Sequence, residues 1–556
     1  MIGVIADPSD HAVVREFFEL FKTPWEFCRA DRPYDVVLNA GDGQFEGTAK
    51  LILLYAGRRI QVDDGQQVQT GHRKHKSFGF LSYQGSQIPI YGDIVSFSRN
   101  EVEFLAIAGS HECAAYLRQH RDKVLLRIGY DIFNEVRILL TVGQPHCNAQ
   151  LPALDLHIAL LRDMITSCGI RLVEIPPVPD GYQFIACLTH DVDHPRIRLH
   201  KWDRTVFGFF LRATLGSLFD FVRGRISVRD LFVNWAAASK LPLVYMGVAN
   251  DFWLGFDERY RELEKGHGST FFVIPFGGRQ GRTLEGLAPA HRAAGYSAQD
   301  VADTIQSLIK SGCEVGLHGI DAWIDSSKGR EELDVIKRLT ANADIGVRMH
   351  WLYFDQKSPQ AIEAAGAAYD STVGYNETVG YRAGTTQVYK PLETSHLLEL
   401  PLHVMDTALF YLSYLGFSAQ QARTVIRHMA DRATDFGGVL TINWHDRSVA
   451  PERLWDESYR ELINDLGCRG AWFSTAGKVI SWFKMRRSAV FETETREPSM
   501  MRVNVALGQY EGLPGLRLRF HTACETDLVG PRGPADYIDV AVDESIHNVI
   551  PSKTGK

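Results

Sequence analysis

Carboxylate and imidazole side chains follow the ends of predicted buried strands at several places in this chain of 556 residues. The first such strand ends in the run Thr189-His-Asp-Val-Asp-His194. Asp191 and Asp193 are two residues apart, and in an extended segment this spacing directs both side chains to one face. Two close carboxylates repel each other unless a cation or a shared proton lies between them. The pair therefore predicts a site in which one carboxylate binds a divalent metal and the other acts as a base.

The same kinds of side chain recur after later predicted strands. They occur in the runs His318-Gly-Ile-Asp321, Arg348-Met-His350, Asp370-Ser-Thr372, Gly380-Tyr-Arg-Ala-Gly384 and Asn443-Trp-His-Asp446. Arg348 and His350 are also two residues apart, so a guanidinium and an imidazole can enter the same cleft. A lone Asp-x-Asp is most often a solvated turn or a helix cap, but its coincidence with His318 and His445 at other strand ends favours a functional site.

A repeated pattern of short apolar strands and amphipathic helices, beginning near residue 182, must position these residues. The predicted strands are 183–189, 270–274, 313–317, 345–352, 368–372, 397–400, 439–444 and 471–474. Between them, Ser297-Ala-Gln-Asp300 has the form of a capping box at the start of a helix. About eight strands alternating with helices predict a parallel (β/α) barrel, in which the working residues gather at the carboxyl ends of the strands.

The run Thr189–His194 resembles a variant of the Thr-Phe-Asp-Asp-Gly motif of the polysaccharide deacetylases, carbohydrate esterase family 4, which have the NodB-like fold. The resemblance covers about residues 182–485 and includes the segments Gly268-Ser-Thr-Phe-Phe-Val273, Gly316-Leu-His-Gly319, Asp370…Tyr381-Arg382 and Leu440…His445. The His-Asp-Val-Asp-His signature is similar to that of a branch with an extra N-terminal domain, often tied to bacterial surface-polysaccharide synthesis. The resemblance implies an α/β fold: a NodB-like irregular (β/α) barrel, an N-terminal α/β domain and a small C-terminal β appendage.

The resemblance also implies catalytic roles. Asp191 corresponds to the catalytic base, Arg348 to the arginine that orients the base, and His445 to the histidine that protonates the leaving group. Arg382 lies in a loop flanked by glycines, where it could hold a carboxylate or phosphate of the substrate or form an exposed salt bridge.

The metal ligands match the family pattern less fully. Asp193 and His318 correspond to ligands of a divalent metal, which we expect to be zinc. The family motif has a further histidine where this chain has Ala322. Because catalytic zinc usually takes three protein ligands, another residue must substitute, or the metal is absent. His350 and Asp321 are the candidates, and we favour His350 because it shares a strand face with Arg348.

Composition and charge exclude several classes of protein. The chain has 45% hydrophobic and 23% charged residues, which excludes collagen-like, low-complexity and wholly disordered proteins. With 60 Lys and Arg against 67 Asp and Glu, the net charge of −7 argues against a nucleic-acid partner. The eight cysteines include no Cys-x-x-Cys pair, which argues against a zinc knuckle or a disulfide framework.

The location of the protein can also be predicted from the sequence. Acidic residues within the first 20 positions interrupt any apolar core of a secretory signal, so we expect a cytoplasmic protein. No uninterrupted run reaches the 18 or so apolar residues of a membrane-spanning helix. The segment 201–240, however, mixes many Phe and Leu residues with arginines. It is predicted either to be a helix pair packed over the barrel or to be a peripheral contact with a membrane surface.

Three domains follow from these patterns: residues 1–180 as an N-terminal α/β domain, 181–485 as the barrel, and 486–556 as the β-rich appendage. The leading functional hypothesis is a metal-dependent hydrolase that removes an N-acyl group, expected to be acetyl, from an amino sugar or glycan precursor. A second hypothesis is hydrolysis of a cyclic amide, a non-sugar C–N bond. A third, motivated by Ala322, is a catalytically inactive glycan-binding protein.

Overall fold

The chain folds into two compact units in the computed structural model, which describes residues 1–29, 31–41, 45, 47–64, 68–69, 79–83, 85–97, 105–109, 112–120, 123–200, 203–224, 226–493, 501–505, 510–522 and 536–542. Unit 1 comprises Met1–Gly181, Tyr381–Leu392 and Ser481–Lys556, and unit 2 comprises Tyr182–Gly380 and Glu393–Ile480. The first boundary coincides with the change of pattern near residue 180. The segment after residue 480 groups with unit 1.

Unit 1 begins with a mixed sheet of eleven strands. These are β1 (Ile2–Ile5), β2 (Trp25–Phe27), β3 (Tyr34–Asn39), β4 (Ala49–Tyr55), β5 (Val68–Gln69), β6 (Gly79–Tyr83), β7 (Ser86–Ile90), β8 (Ser96–Phe97), β9 (Leu105–Ile107), β10 (Cys113–His120) and β11 (Lys123–Ile128). The main path runs β2-β1-β3-β4-β11-β10-β9-β6-β7, parallel from β2 to β11 and antiparallel beyond. Alternate residues of β4 are buried, as expected for a strand with one face on the core.

Three helices complete the first part of unit 1: α1 (His11–Leu20), α2 (Ile132–Thr141) and α3 (Ala153–Ser167). The Asp131 side chain accepts hydrogen bonds from two backbone N–H groups of the first turn of α2 and so caps that helix. The Phe17 ring of α1 packs edge-on against the Phe133 ring of α2, with centroids 5.9 Å apart. After α3, the short strand β12 (Leu172–Glu174) leads to the boundary with unit 2.

Unit 2 contains the predicted parallel sheet. Its strands are β13 (Phe184–Val192), β14 (Thr270–Val273), β15 (Arg282–Thr283), β16 (Gly286–Leu287), β17 (Glu314–Gly319), β18 (Val347–Met349), β19 (Val404–Met405), β20 (Val439–Asn443) and β21 (Ala471–Ser474). The order is β18-β17-β14-β13-β20-β19 with β21 also on β13, all parallel, and β15 and β16 form a separate hairpin. All nine residues of β13 are buried, as expected for a central strand of a parallel sheet.

Two of the predicted strands, 368–372 and 397–400, occur only as single bridges. Asp370 pairs with Val347 on one side and with Glu399 on the other, which continues the curled sheet past β18. Backbone hydrogen bonds support both bridges, from the Ser371 N–H to the Val347 carbonyl and from the Leu400 N–H to the Asp370 carbonyl, and side chains take the next backbone groups along. The Arg348 guanidinium donates to the Ser371 carbonyl, and the Glu399 carboxylate accepts from the Val373 N–H. The result is the irregular, half-open (β/α) barrel that the sequence predicts.

Helices lie between the strands of unit 2. They are α4 (Arg204–Leu211), α5 (Ser217–Val222), α6 (Val228–Tyr245), α7 (Phe256–Glu264), α8 (Ala302–Lys310), α9 (Ser326–Thr340), α10 (Ser358–Ala365), α11 (Asp406–Phe410), α12 (Ala419–Phe436), α13 (Asp456–Cys468) and α14 (Ala476–Ser488), the last of which continues into unit 1. The predicted capping box at Ser297 and Asp300 is present, one turn before α8.

A π-helical turn at Arg212–Gly216 joins α4 and α5, so that Arg204–Val222 is one continuous helix. By length and composition alone this helix, with a mean hydropathy of 1.4, is long and apolar enough to cross a membrane. Arg212 and Asp220 interrupt its apolar residues. Only 22% of the apolar stretch is buried within the protein.

The C-terminal part of the chain is β-rich, as its alternating pattern predicts. Its strands are β22 (Val490–Thr493), β23 (Met501–Asn504), β24 (Arg517–His521) and β25 (Tyr537–Ala541). β22 and β23 form an antiparallel pair, whereas β24 lies between β25 and β12. This segment groups with unit 1 because β12, from before the barrel, supplies an edge of the sheet.

Candidate metal and catalytic site

Strand register brings the predicted site residues together at the carboxyl ends of β13, β17, β18 and β20. His318 of β17 lies opposite Arg348 of β18, and Asn443 of β20 lies opposite Thr189 of β13. The cleft above these ends is lined by residues of unit 2 alone: Asp191, Asp193, His194, His318, His350, Trp351, Leu352, Tyr353, Asn376, Glu377, Met405, Thr407, Tyr411, Tyr414, His445, Asp446, Arg447 and Arg453.

Three of these side chains are arranged to hold a metal ion. Asp193 Oδ1 lies 3.4 Å from His318 Nε2 and 3.7 Å from His350 Nε2, and each of the three residues offers a ligand atom within 4.8 Å of the others. His318 Nδ1 lies 3.0 Å from the Arg348 carbonyl oxygen. Because a carbonyl only accepts, Nδ1 carries the proton and Nε2 presents its lone pair to Asp193.

A cation would resolve the electrostatics of this cluster. Asp193 Oδ1 is buried and accepts no hydrogen bond from any residue that the structure describes. A buried carboxylate oxygen that faces a nitrogen lone pair is unfavourable unless a positive ion lies between them. One carboxylate and two imidazoles form a donor set that suits zinc. The residues present therefore fit the divalent metal that the sequence predicts.

The protonation states in the cluster also suit metal binding. Burial by itself would raise the pKa of Asp193, but the imidazoles of His350, His318 and His445 outweigh burial and hold that pKa well below its usual value. Asp193 is therefore ionised at pH 7, which is the form that binds a metal.

The structure places His350, rather than Asp321, beside Asp193 and His318. The Asp321 carboxylate instead accepts from the Arg282 N–H at 2.7 Å and from Lys328 Nζ at 3.0 Å. It therefore ties its loop to β15 and to α9.

Ala322 stands where the resemblance predicts a histidine, and this residue packs against a helix. Ala322 is fully buried against α9, where a Cβ added at Gly329 would lie 2.9 Å from the Ala322 Cβ. The third candidate ligand comes instead from His350, at the end of the neighbouring strand β18.

Asp191 is held by two other strands. Arg348 Nη1 donates to Asp191 Oδ1 at 3.1 Å, and Asn443 Nδ2 donates to Asp191 Oδ2 at 2.8 Å. Arg348 is fully buried and also donates to Thr189 Oγ1, the Ser371 carbonyl and Ser371 Oγ. Asp191 Oδ2 lies 3.9 Å from His318 Nε2, so this carboxylate borders the metal cluster without joining it.

His445 forms a dyad with Asp406. A hydrogen bond of 2.6 Å joins His445 Nδ1 to Asp406 Oδ1. The backbone N–H of His445 donates to the other carboxylate oxygen, Asp406 Oδ2. Burial alone would lower the pKa of His445, but Asp406, with a contribution from Asp193, raises it to about 10. His445 Nε2 lies 3.9 Å from Asp193 Oδ2, so the ring carries a transferable proton next to the metal cluster.

Sequence reasoning missed Asp406. The residue directly follows β19, which has two residues and is too short to be recognised from its pattern. The rule that carboxylates after strand ends are functional would have selected Asp406 if that strand had been identified. Its hydrogen bonds to His445 and Ser448 make it the residue that orients the histidine.

Arg382 lies in the segment Tyr381–Leu392 of unit 1, whereas the cleft is lined by unit 2. The Arg382 carbonyl accepts from the Gln144 N–H at 2.8 Å, and the Gly384 carbonyl accepts from the Leu154 N–H at the start of α3. The glycine-flanked loop thus packs on helices of unit 1. The residues that line the cleft do not include Arg382, and its substrate-binding role stays a prediction.

The histidines that flank the carboxylates have different surroundings. His190 is fully buried, and its two ring nitrogens lie 2.8 Å from the Trp444 carbonyl and from Glu264 Oε1. It is a packed, hydrogen-bonded residue of the core. His194 lines the cleft, and its ring lies against His200.

The backbone is strained immediately after His350. Trp351 and Leu352 have φ values of 64° and 51°, in the left-handed region that bulky side chains rarely adopt. Such strain persists where the surrounding structure imposes it, and it concentrates at functional sites. Here it turns the chain so that His350 enters the metal cluster while Trp351 lines the cleft.

Comparison with solved structures finds deacetylases. A protein from Mycobacterium smegmatis assigned as a polysaccharide deacetylase matches 56% of this chain and 95% of its own, at 16% identity and a TM-score of 0.35. The carbohydrate deacetylase Agd3 matches 99% of this chain and 98% of its own, at 9% identity and a TM-score of 0.36. The peptidoglycan deacetylase PdaC from Bacillus subtilis matches 56% and 96%, at 13% identity and a TM-score of 0.24. No protein-family model and no curated protein matches the chain.

Proposed function

We propose that the protein is a metal-dependent carbohydrate deacetylase, which hydrolyses the N-acetyl group of an amino sugar or glycan in bacterial surface-polysaccharide metabolism. One observation carries this proposal. In a single cleft, the possible ligands of a divalent cation lie between the Asp191 carboxylate, which Arg348 holds, and the His445 ring, which Asp406 holds. Amide hydrolysis needs these three elements: activated water, a base, and an acid for the leaving amine.

Asp193, His318 and His350 would hold the cation. When bound, a divalent cation supplies Lewis acidity and lowers the pKa of water. Asp191 accepts the proton that the attacking water loses. Arg348 and Asn443 hold that carboxylate in place and leave it no freedom to turn away.

His445 completes the reaction from the other side of the cluster. Its Nδ1–H is held by Asp406, so the proton on Nε2 is the one directed into the cleft. That proton passes to the nitrogen of the departing sugar amine as the C–N bond breaks. The products are the free amine, which takes the proton from His445, and acetate, which takes the oxygen of the water.

The walls of the cleft suit a carbohydrate. Trp351, Tyr353, Tyr411 and Tyr414 line it. Aromatic side chains offer flat apolar surfaces with polar tips, which fit the C–H face and the hydroxyls of a sugar ring. The hypothesis of an inactive glycan-binding protein rested on Ala322. In our proposal His350, which lies beside Asp193 and His318, takes the place of the missing histidine.

The test is acetate release by the zinc-loaded protein from N-acetylated amino sugars and chitooligosaccharides, with cyclic amides as the competing substrate class. We expect acetate from the sugars, no hydrolysis of the cyclic amides, and no turnover by Asp191→Asn. Hydrolysis of cyclic amides alone, or acetate release that survives Asp191→Asn, would overturn the proposal.

A further inference from the structure

An apolar hairpin of unit 2 presents an unusual surface. We define it as residues Arg204–Tyr245, comprising α4, the π-helical turn, α5 and α6. Leu211, Leu215, Leu218 and Val222 form a stripe along α4 and α5 at helical spacing, and each is exposed by 40% or more. Phe219 and Phe232 are exposed by 62% and 65%.

The opposite face of the hairpin is already used for packing. Phe209 and Ala213 are fully buried and form a core cluster with Ala237 of α6, Trp253 and Ala450. The helix is therefore apolar on both sides. A surface helix of a globular protein keeps its outward face polar, and large exposed apolar patches mark contact surfaces.

The charge of the hairpin points to the nature of its partner. It contains six cationic and two acidic residues, a net charge of +4, whereas the whole chain carries −7. Arg204, Arg223, Arg229 and Lys240 are exposed. Helices that lie at the surface of a membrane containing anionic lipids typically combine apolar side chains with bordering arginines and lysines.

We propose that the apolar hairpin docks on a lipid bilayer surface that contains anionic lipids, with the outward stripe inserted among the acyl chains and the arginines at the headgroups. A second copy of the chain fits less well, because a symmetric contact would place two surfaces of charge +4 against each other. A spanning orientation would remove Phe209 and Ala213 from Trp253 and Ala450. The hairpin therefore lies on the membrane and does not cross it.

Docking in this manner places the cleft beside the lipid surface. The Arg447 guanidinium, which lines the cleft, lies 4.4 Å from the ring centre of Trp253, on which the hairpin packs. The His194 ring, also in the cleft, lies 6.3 Å from the same ring. Resting on the proposed function, this proximity favours a lipid-attached N-acetylated sugar, whose lipid stays in the bilayer while its sugar enters the cleft.

Sedimentation of the full chain with vesicles tests the docking without any need for turnover. We expect binding to vesicles of phosphatidylcholine with phosphatidylglycerol, and weaker binding to phosphatidylcholine alone. The triple variant Phe219→Ser, Val222→Ser, Phe232→Ser should lose binding at least about tenfold, because it removes three exposed apolar side chains from the contact. Arg223→Glu with Arg229→Glu should abolish the preference for phosphatidylglycerol.

The matched control removes exposed leucines elsewhere in unit 2. Leu284 and Leu287, at the β15–β16 hairpin, are exposed by 69% and 75%, and Leu284→Ser with Leu287→Ser should bind vesicles as the wild type does. Equal binding by the triple variant would overturn the proposal. If the wild-type protein is a dimer without lipid and the triple variant is a monomer, the surface would be assigned to contact with a second copy of the chain. Resistance of the bound protein to alkaline extraction would show a spanning helix.

The substrate class has its own readout. The triple variant should deacetylate a soluble chitooligosaccharide at the wild-type rate but lose activity on an N-acetylglucosaminyl lipid embedded in vesicles. Equal loss on both substrates would contradict the lipid-attached class. Absence of activity on both by the wild type would refute the proposed function, and the vesicle-binding result would still stand on its own.

Discussion

The buried pair of Arg348 and Asp191 makes a quantitative prediction about stability. Replacing Arg348 by Met removes a fully buried guanidinium and leaves the Asp191 carboxylate, 3% exposed, with Asn443 as its remaining side-chain donor. Loss of one partner of a buried ion pair costs about 3–5 kcal/mol. Coulomb's law gives a similar size, about 5 kcal/mol for charges 3.1 Å apart at an effective dielectric constant of about 20.

The double-mutant cycle isolates the pair from other effects. Arg348→Met with Asp191→Asn removes both charges, so no uncompensated charge stays buried. We expect the double variant to cost less than the sum of the two single variants by about 2 kcal/mol. Hydrogen exchange of the amides of β13 and β18 measures this opening free energy within unit 2, separately from unit 1. If the free-energy cost of the double variant equals the sum of the two single-variant costs to within about 0.5 kcal/mol, the assigned pairing would be refuted.

Three further predictions concern the acid, the base and unit 1. Asp406→Asn should lower kcat about 10²–10⁴-fold and move the alkaline limb of the pH–rate profile to lower pH, because Asp406 raises the pKa of His445; an unmoved limb would count against the dyad. Asp191→Asn should retain the bound metal, measured by elemental analysis, yet lose turnover; loss of the metal would instead make Asp191 a ligand. In unit 1, burial favours neutral Glu174, but Arg162 and His521 together outweigh burial and hold the pKa of Glu174 well below its usual value. The stability that this carboxylate contributes is present above about pH 4.3 and is lost as the pH falls further, so urea unfolding of Glu174→Gln should depend less on pH in acid than wild type does; identical slopes would contradict the pairing.

The sequence was sufficient to find the parts of the site that follow recognisable strands. Asp191, Asp193, His318 and His445 each come directly after an apolar run, and the parallel register of those runs brings the residues together. The preference for His350 over Asp321 as third ligand followed from the two-residue period of an extended strand. The structure places His350 beside Asp193 and His318, and its role as a ligand stays a prediction.

Other features depend on contacts that a local pattern does not encode. Asp406 follows a strand of two residues, which carries no periodic signal. The predicted strands at 368–372 and 397–400 keep one bridge on each side of Asp370, and beyond these bridges the side chains of Arg348 and Glu399 bind the Ser371 carbonyl and the Val373 N–H. The place of the C-terminal segment is set by pairing between β12 and β24, whose residues lie more than 340 positions apart.

The metal content of the purified full chain tests the candidate site most directly. After exhaustive dialysis and loading with zinc, elemental analysis should find one ion per chain in the wild type and in Asp321→Asn, the matched control from the neighbouring loop. His350→Ala should lose the ion, because it removes one of three protein ligands. A wild-type protein that retains no metal, or a His350→Ala variant that retains one full equivalent, would contradict the metal cluster of Asp193, His318 and His350.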